Sequence, residues 1–263
     1  MSDLAIIAGQ GALPGLLAGH LAARGDAPRV LAPEGFEPEG IAAESFRFEG
    51  LASMLAGLRA YGIARVCLAG AIRRPALDPS RIEPASLPLI GRLAAVMGRG
   101  DDALLREVVA VFETAGLAVV GAAEVMPELV TPPPGRAPEA LAGDAARGRA
   151  ILDALGPLDV GQAVVVAGGL CLGIETVQGT EALLDFVART RRGAGKGGVL
   201  VKRAKPGQEL RVDMPAIGPA TLAQARAAGL AGIAIEAGKV LLMERERLLA
   251  EAEAAGIALW AEP

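Results

Sequence analysis

The chain opens on an uninterrupted apolar run, Leu4-Ala-Ile-Ile-Ala8, followed at once by Gly9-Gln-Gly-Ala-Leu-Pro14 and then by helical spacing. Leu16, Leu17, His20 and Leu21 share one side of that helix, and Gly25 stops it. A strand with no polar alternation is buried on both faces, so its sheet needs helices above and below. The same unit recurs. Arg29 to Ala32 reads as a second strand, Met54, Leu55 and Leu58 mark a helix ending at Gly62, and Ala64 to Gly70 is a third strand. Asp101-Asp102 is read as the cap of a helix with Leu104, Leu105, Val108, Val109, Phe112 and Ala115 as its stripe. Gly116 ends it, and Leu117 to Val120 is a fourth strand. Strands alternating with helices predict an α/β fold, and residues 1–130 are read as a Rossmann-like domain built on a parallel sheet.

Four prolines between positions 132 and 138 break the pattern, in Thr131-Pro-Pro-Pro-Gly-Arg-Ala-Pro138. Such a stretch is stiff and extended, and residues 131–142 are read as a Pro-rich linker. The remainder, 143–263, is read as a C-terminal mixed α/β catalytic domain. A helix is expected over Asp144 to Leu155, strands within Gln162 to Glu175, a helix over Glu181 to Arg192, and a strand at Val199 to Val201 after the Gly-rich 193–198. Leu210 to Asp213 alternates like a half-exposed strand, Pro219 opens a helix, and strands at Ile233 to Glu236 and Val240 to Met243 join at Ala237-Gly238. Short strands this close together predict a mixed sheet rather than a second doubly wound unit.

Composition removes several functions. Lys plus Arg is 26 and Asp plus Glu is 30, a net charge of −4, without the basic footprint of a nucleic-acid binder. Aromatic residues are 3% of the chain, too few for base-stacking platforms. One histidine, His20, cannot build a multi-His zinc site, and its mid-helix apolar setting disfavours a Ser-His-Asp triad. Cys67 and Cys171 lie in apolar strand-like segments and are read as two buried free thiols of a reducing compartment. The longest apolar run, Ala163 to Ile174, is far short of the ~20 residues of a membrane span, and the N-terminus lacks a positive leader region. A soluble protein, with peripheral membrane contact left open, is the expectation.

Four segments could carry chemistry. Gly9, Gln10 and Gly11 join a strand to a helix, where backbone N–H groups can cradle a phosphate; the alternative is a tight structural turn. The third glycine of a dinucleotide fingerprint is replaced by Pro14. Arg73 and Arg74 follow the carboxyl end of a strand, where open α/β sheets bind ligands. Asp101 and Asp102 suit a hard cation or a helix cap. Lys202, Lys205, Gln208, Arg211 and Asp213 are set among β-formers and Gly/Pro turns, where cations can neutralise a diphosphate while a carboxylate holds a metal. Glu175 and Thr180 form a similar polar island, with Thr180 equally suited to capping the helix that follows.

These phrases resemble, in order and along nearly the whole chain, the UDP-2,3-diacylglucosamine pyrophosphatases of the LpxI type. The resemblance is carried by Ala8 to Pro14, Ala69-Gly-Ala-Ile-Arg-Arg-Pro75, Gly100 to Arg106, Gly173 to Glu181, Val199 to Pro206, Arg211 to Pro219 and Gly232-Ile-Ala-Ile-Glu-Ala-Gly238. It implies Mg2+-dependent hydrolysis of UDP-2,3-diacylglucosamine to UMP and 2,3-diacylglucosamine 1-phosphate (lipid X). That is a step of lipid A biosynthesis at the cytoplasmic face of the inner membrane. It also implies two domains with the ligand between them, and no relation to the histidine-rich dimetal phosphoesterases. One departure stands out: the family is expected to carry Asp-Thr after Ile-Gly-Pro, where this chain has Ala220-Thr221. The resemblance therefore implies an inactivated, substrate-trapping form.

On this reading Asp213, Glu175, Asp101 and Asp102 are candidate metal ligands, and Asp213 and position 220 are catalytic. Lys202 and Lys205 stabilise phosphoryl charge. Gly9, Gln10, Gly11, Arg73, Arg74, Thr180 and Gln208 bind substrate. The Leu- and Ala-rich second domain is expected to line a groove for two acyl chains, and the sequence leaves a homodimer open. Two other readings remain: a nucleotide-dependent oxidoreductase and a non-catalytic lipid or nucleotide carrier.

Overall fold

The computed structural model describes residues 2–73, 75–98, 100–191 and 197–263. Arg74 and residues 193–196 lie outside the described residues. The chain divides into two units, one of residues 1–127 with 209–213, the other of 128–208 with 214–263.

In the first unit the elements are β1 (Leu4–Ala8), α1 (Leu13–Ala23), β2 (Arg29–Pro33), β3 (Glu44–Phe46), α2 (Leu51–Ala60), β4 (Arg65–Ala69), α3 (Leu87–Val96), α4 (Asp101–Thr114), β5 (Ala118–Val120) and α5 (Ala122–Val125). The strands form one sheet in the order β3-β2-β1-β4-β5, every neighbouring pair parallel. This is the order of a Rossmann-like half, with its reversal between β1 and β4. Ala5, Ile7, Leu31, Val66 and Val119 form one buried face under α2 and α4. Alternation turns Leu4 and Ile6 to the other face, the side of α1 with its buried Leu17 and Leu21. The fold class read from the sequence is the one observed; β3, only three residues long and mostly exposed, lacked the apolar run that marks the others.

In the second unit the elements are α6 (Glu139–Leu155), β6 (Ala163–Ala167), β7 (Leu170–Ile174), α7 (Gly179–Thr190), β8 (Val199–Lys202), β9 (Ala216–Ile217), α8 (Pro219–Ala227), β10 (Gly232–Glu236), β11 (Leu241–Leu242), α9 (Arg245–Ala255) and β12 (Ala258–Glu262). The main sheet runs β12-β10-β8-β6-β7, parallel from β12 to β8 and antiparallel through β6 and β7, as a mixed sheet should. Leu183, Leu222 and Leu248, from α7, α8 and α9, pack on one face; Leu141, Ala145 and Leu152 of α6 pack with Trp260 on the other.

Several local expectations are corrected. Leu210 to Asp213 is a turn, not a strand: the Glu209 carbonyl accepts from the N–H groups of both Val212 and Asp213. β10 and β11 do not pair; β11 pairs in parallel with β9 in a separate two-stranded sheet. The helix expected from Asp144 begins at Glu139. Cys67 is buried in β4, and burial pushes its thiol up to about 12, but Cys171 is exposed because β7 is an edge strand. The Pro-rich stretch is docked on the second unit: Gly135 bridges Trp260, and Arg245 donates to the carbonyls of Thr131 and Pro132.

Gly148 lies buried in α6, where an added Cβ would collide with the β-branched side chain of Val201 on β8. Helix propensity favours alanine there by about 0.5–1 kcal/mol, but overpacking costs about 1–3 kcal/mol, so packing decides the sign. Gly148→Ala is expected to lower stability by about 1–2 kcal/mol, read as a lower urea midpoint, with part of the loss recovered by adding Val201→Ala.

Candidate functional site

In the first unit the strand order reverses between β1 and β4, and the chains leaving these two strands stay paired. At the carboxyl ends of β1 and β4 the chain is zipped by backbone: Gly9 N–H donates to the Ala69 carbonyl at 2.7 Å, Gln10 N–H to Ala71 at 2.9 Å, and Ala71 N–H back to Gln10 at 2.9 Å. Gly70, with φ +90°, approaches so closely that a Cβ on it would stand 2.6 Å from the Gly9 carbonyl oxygen, and one on Gly9 2.6 Å from that of Ala71. The glycines thus serve backbone contact, and the N–H groups of Gly9 and Gln10 are already committed. The zipping brings Gly9, Gln10 and Gly11 beside the loop of Arg73, which is exposed.

The acidic pair at the start of α4 is not its cap. Gly100 holds the cap position, and Asp101 and Asp102 are the first helical residues, where carboxylates favour the helix dipole. Asp102 accepts from Arg106 Nε at 2.7 Å and from the Glu209 N–H at 3.1 Å. The turn 209–213 is held further by Arg211, whose guanidinium meets Glu209 and, on α4, Glu113, each at 2.8 Å, while Val212 packs on the unit's core. The Arg211 guanidinium holds the Glu209 carboxyl below the usual range. Asp213, half-buried, ends this turn.

The second unit carries the most buried charge. Lys202, the last residue of β8, and Glu175, just after β7, are each 6% exposed. Their charged atoms are 3.8 Å apart, and Thr180 sits between them on α7. Lys202 Nζ donates to Thr180 Oγ1 at 2.5 Å, and Thr180 Oγ1 donates to the Glu175 carboxylate. The cap position of α7 is Gln178, so Thr180 is a helical residue engaged in this relay, and the alternative reading of it as a cap falls. Burying such a pair is costly unless each group is satisfied, and the hydroxyl supplies that link. Lys205 and Gln208 lie on the segment that follows. Lys205 Nζ reaches Asp159 at 2.5 Å, Gln208 Oε1 accepts the Lys205 N–H at 2.8 Å, and Gln208 Nε2 meets Gln162 at 3.3 Å.

Sequence reasoning missed Glu236, at the carboxyl end of β10. It is buried, accepts the Ala204 N–H at 3.1 Å, and pairs with Lys239 at 2.7 Å and Arg203 at 3.5 Å. It thereby fixes the backbone just after Lys202. Burial pushes its carboxyl up, but Lys239 and Arg203 outweigh burial and hold it below the ordinary 4.5. The signal was a single acid closing the apolar run Gly232-Ile-Ala-Ile-Glu236. Ala220 is exposed in the first turn of α8, which opens at Pro219 as expected.

The residues read as metal ligands are divided between the two units. Asp101, Asp102 and Asp213 belong to the first unit and Glu175 to the second. Among the described residues no three His, Cys, Asp or Glu side chains stand as a group that could hold a metal ion. Asp102 and Glu175 are bound to the chain's own cations, Arg106 and Lys202. A half-buried Asp213 suits the other mode, in which Mg2+ joins phosphates through one or two carboxylates and keeps its waters.

Two measurements test this electrostatic frame. Lys202→Met leaves Glu175 buried without its cation and should cost about 3–5 kcal/mol in chemical denaturation, most of it recovered when Glu175→Gln is added. The Glu236 pairing is fully present above about pH 4.5 and is lost as pH falls through the lower folded value. Glu236→Gln should therefore lower stability at pH 7 by about 1.5–3 kcal/mol and flatten the acid limb of a pH–stability curve.

Comparison with known proteins accounts for both units. The LpxI N-terminal domain model matches residues 3–129 and the LpxI C-terminal domain model residues 135–260. The UDP-2,3-diacylglucosamine pyrophosphatase LpxI of Caulobacter vibrioides is 40% identical over 271 residues, covering 98% of this chain and 96% of that protein. With both domain models in order along one chain and a relative matched nearly end to end, the chain belongs to the LpxI family.

Proposed function

We propose that this chain hydrolyses the diphosphate of UDP-2,3-diacylglucosamine. Water adds to one phosphorus, the bridging P–O bond breaks, and UMP and 2,3-diacylglucosamine 1-phosphate leave. The observation that carries this reading is the relative of that activity, matched over 98% of the chain. The buried Lys202–Thr180–Glu175 relay supports it: an ammonium positioned in a buried setting beside the Thr180 hydroxyl is preorganised to meet developing phosphoryl charge. Lys205 lies three residues on, placed by Gln208. Glu236 is a positioning residue, since it holds the Ala204 backbone.

Mg2+ is part of the proposal, with Asp213 the carboxylate assigned to it. Bound Mg2+ supplies charge neutralisation for a diphosphate. Gly11, Arg73 and Thr180 are assigned to substrate contact, as are Gly9 and Gln10 through groups other than their committed N–H donors. The work is placed at the cytoplasmic face of the inner membrane, where the acyl chains supply the partition. No helix among the described residues is long and apolar enough to cross a membrane. The dinucleotide reading loses its support, because Pro14 replaces the third glycine and the Gly9 and Gln10 N–H groups are spent on Ala69 and Ala71. The exposed Ala220 leaves the first turn of α8 without a carboxylate, and on this reading the chain is a weakly active, substrate-retaining form.

The test is UMP release from UDP-2,3-diacylglucosamine with Mg2+ and with EDTA, comparing the chain with Ala220→Asp. Turnover by the Asp form alone, abolished by EDTA, is the expected result. Equal turnover by both forms overturns the reduced-activity reading and leaves the hydrolase. Release by neither overturns the hydrolase and leaves a carrier. In the form that turns over, the stabilised pair Lys202→Met with Glu175→Gln should lower kcat by about 100-fold while remaining folded.

A further inference from the structure

Helix α2 has no side-chain cap of its own. Gly50 holds the cap position, and a helix start leaves its first N–H groups without partners inside the helix. The excursion that follows β4 supplies what is missing from more than thirty residues away. Ser86, fully buried, accepts the Ala52 N–H on its Oγ at 3.0 Å, and Ser53 Oγ donates to the Glu83 carboxylate at 2.6 Å. A carboxylate beside a helix start is also favoured by the helix dipole.

Glu49 makes the link in the other direction. It is buried just before α2; its carboxylate accepts the Asp78 N–H at 2.9 Å and its carbonyl accepts the Glu83 N–H at 3.0 Å. The Asp78 N–H holds the Glu49 carboxyl below the usual carboxylate range. A buried carboxylate is costly unless satisfied, and a neutral side chain could fill the same place without that cost. Its partner is a backbone amide, so the charge grips the path of the loop itself. Asp78 is one end of a short span whose other end is fixed as well, since Ala71 is paired with Gln10 by two bonds of 2.9 Å. Between these ends Pro75 and Leu77 join Ile7 and Leu68 of the sheet in one apolar lining, while Arg73 is exposed. A span pinned at 71 and at 78, with apolar residues held inward, gives its cation only a small region to sweep.

We infer that Glu49 is a positioning residue for substrate binding: by holding the Asp78 backbone it sets where Arg73 can meet the phosphates of the substrate. The inference rests on the substrate contact assigned to Arg73 above. A guanidinium held in place before binding spares the ordering cost that a free loop would meet on binding. Glu83 and Ser86 belong to the same clamp, since they fasten the far side of the loop to α2.

The test measures binding of radiolabelled UDP-2,3-diacylglucosamine in detergent micelles to the full chain, which needs no turnover. Arg73→Ala is expected to weaken binding about 30-fold and Glu49→Ala about tenfold. Glu49→Ala added to Arg73→Ala should cost less than about twofold more, because it acts through that arginine. Glu49→Gln, whose amide oxygen still accepts the Asp78 N–H, should bind within about threefold of the parent. A merely destabilised fold would lower binding equally with and without Arg73. Where Glu49→Ala does not fold, Ser53→Ala, at an exposed position of the same clamp, should weaken binding about threefold with Arg73 present and leave Arg73→Ala unchanged. An equal loss with and without Arg73, Glu49→Gln as weak as Glu49→Ala, unchanged binding by Glu49→Ala or Arg73→Ala, or no binding by the parent overturns the inference. UMP release by the Ala220→Asp form is scored separately. Coupled binding without release removes the hydrolase and leaves the clamp, whereas release with uncoupled binding does the reverse.

Discussion

The architecture of the first unit depends on how closely two backbone segments approach at the centre of its sheet. Gly9 and Gly70 let the chain leaving β1 and the chain leaving β4 touch, and three hydrogen bonds lock them there. In an open α/β sheet that place is the usual ligand crevice. There the Gly9 and Gln10 N–H groups are spent on the neighbouring chain, so only other groups of these loops face outward. The long excursion between β4 and α4 lays an apolar helix over a space the sheet does not fill.

The second unit meets a different constraint, that of holding charge out of water. Lys202, Glu175 and Glu236 are all buried near the carboxyl end of the β8 and β10 strands. Each is satisfied by a short-range partner: a threonine hydroxyl, a backbone amide, or a cation on the following turn. A core of aliphatic residues in these places would be at least as stable. Retaining the charges keeps a fixed ammonium in a buried setting beside a hydroxyl and a carboxylate.

Much of this was legible in the chain. The strand order could not be read, but the parallel class could, because Leu4-Ala-Ile-Ile-Ala8 and its relatives have no polar face. Lys202 stood out because a lysine closing Val-Leu-Val has no place in an ordinary core. What escaped has physical reasons. Leu210-Arg-Val-Asp213 alternates like a strand, yet Arg211 finds Glu113 and Glu209, and that pairing curls the segment into a turn. Cys171 sits in an apolar run but on a sheet edge, and edge position is a property of topology, not of local pattern. The glycines after β1 looked like a phosphate cradle because both uses need the same absence of a Cβ, and only the partner strand decides between them.

The five residues Glu209 to Asp213 give the polypeptide an order of assembly. They complete the first unit, bracing α4 through Asp102 and Glu113, yet they are translated after most of the second. The amino-terminal half emerging from the ribosome can collapse around its sheet, but its last brace arrives some eighty residues later than the unit's own Pro127. Cutting the gene between its two halves would therefore separate α4 from its brace, and neither fragment would be the unit seen in the whole chain.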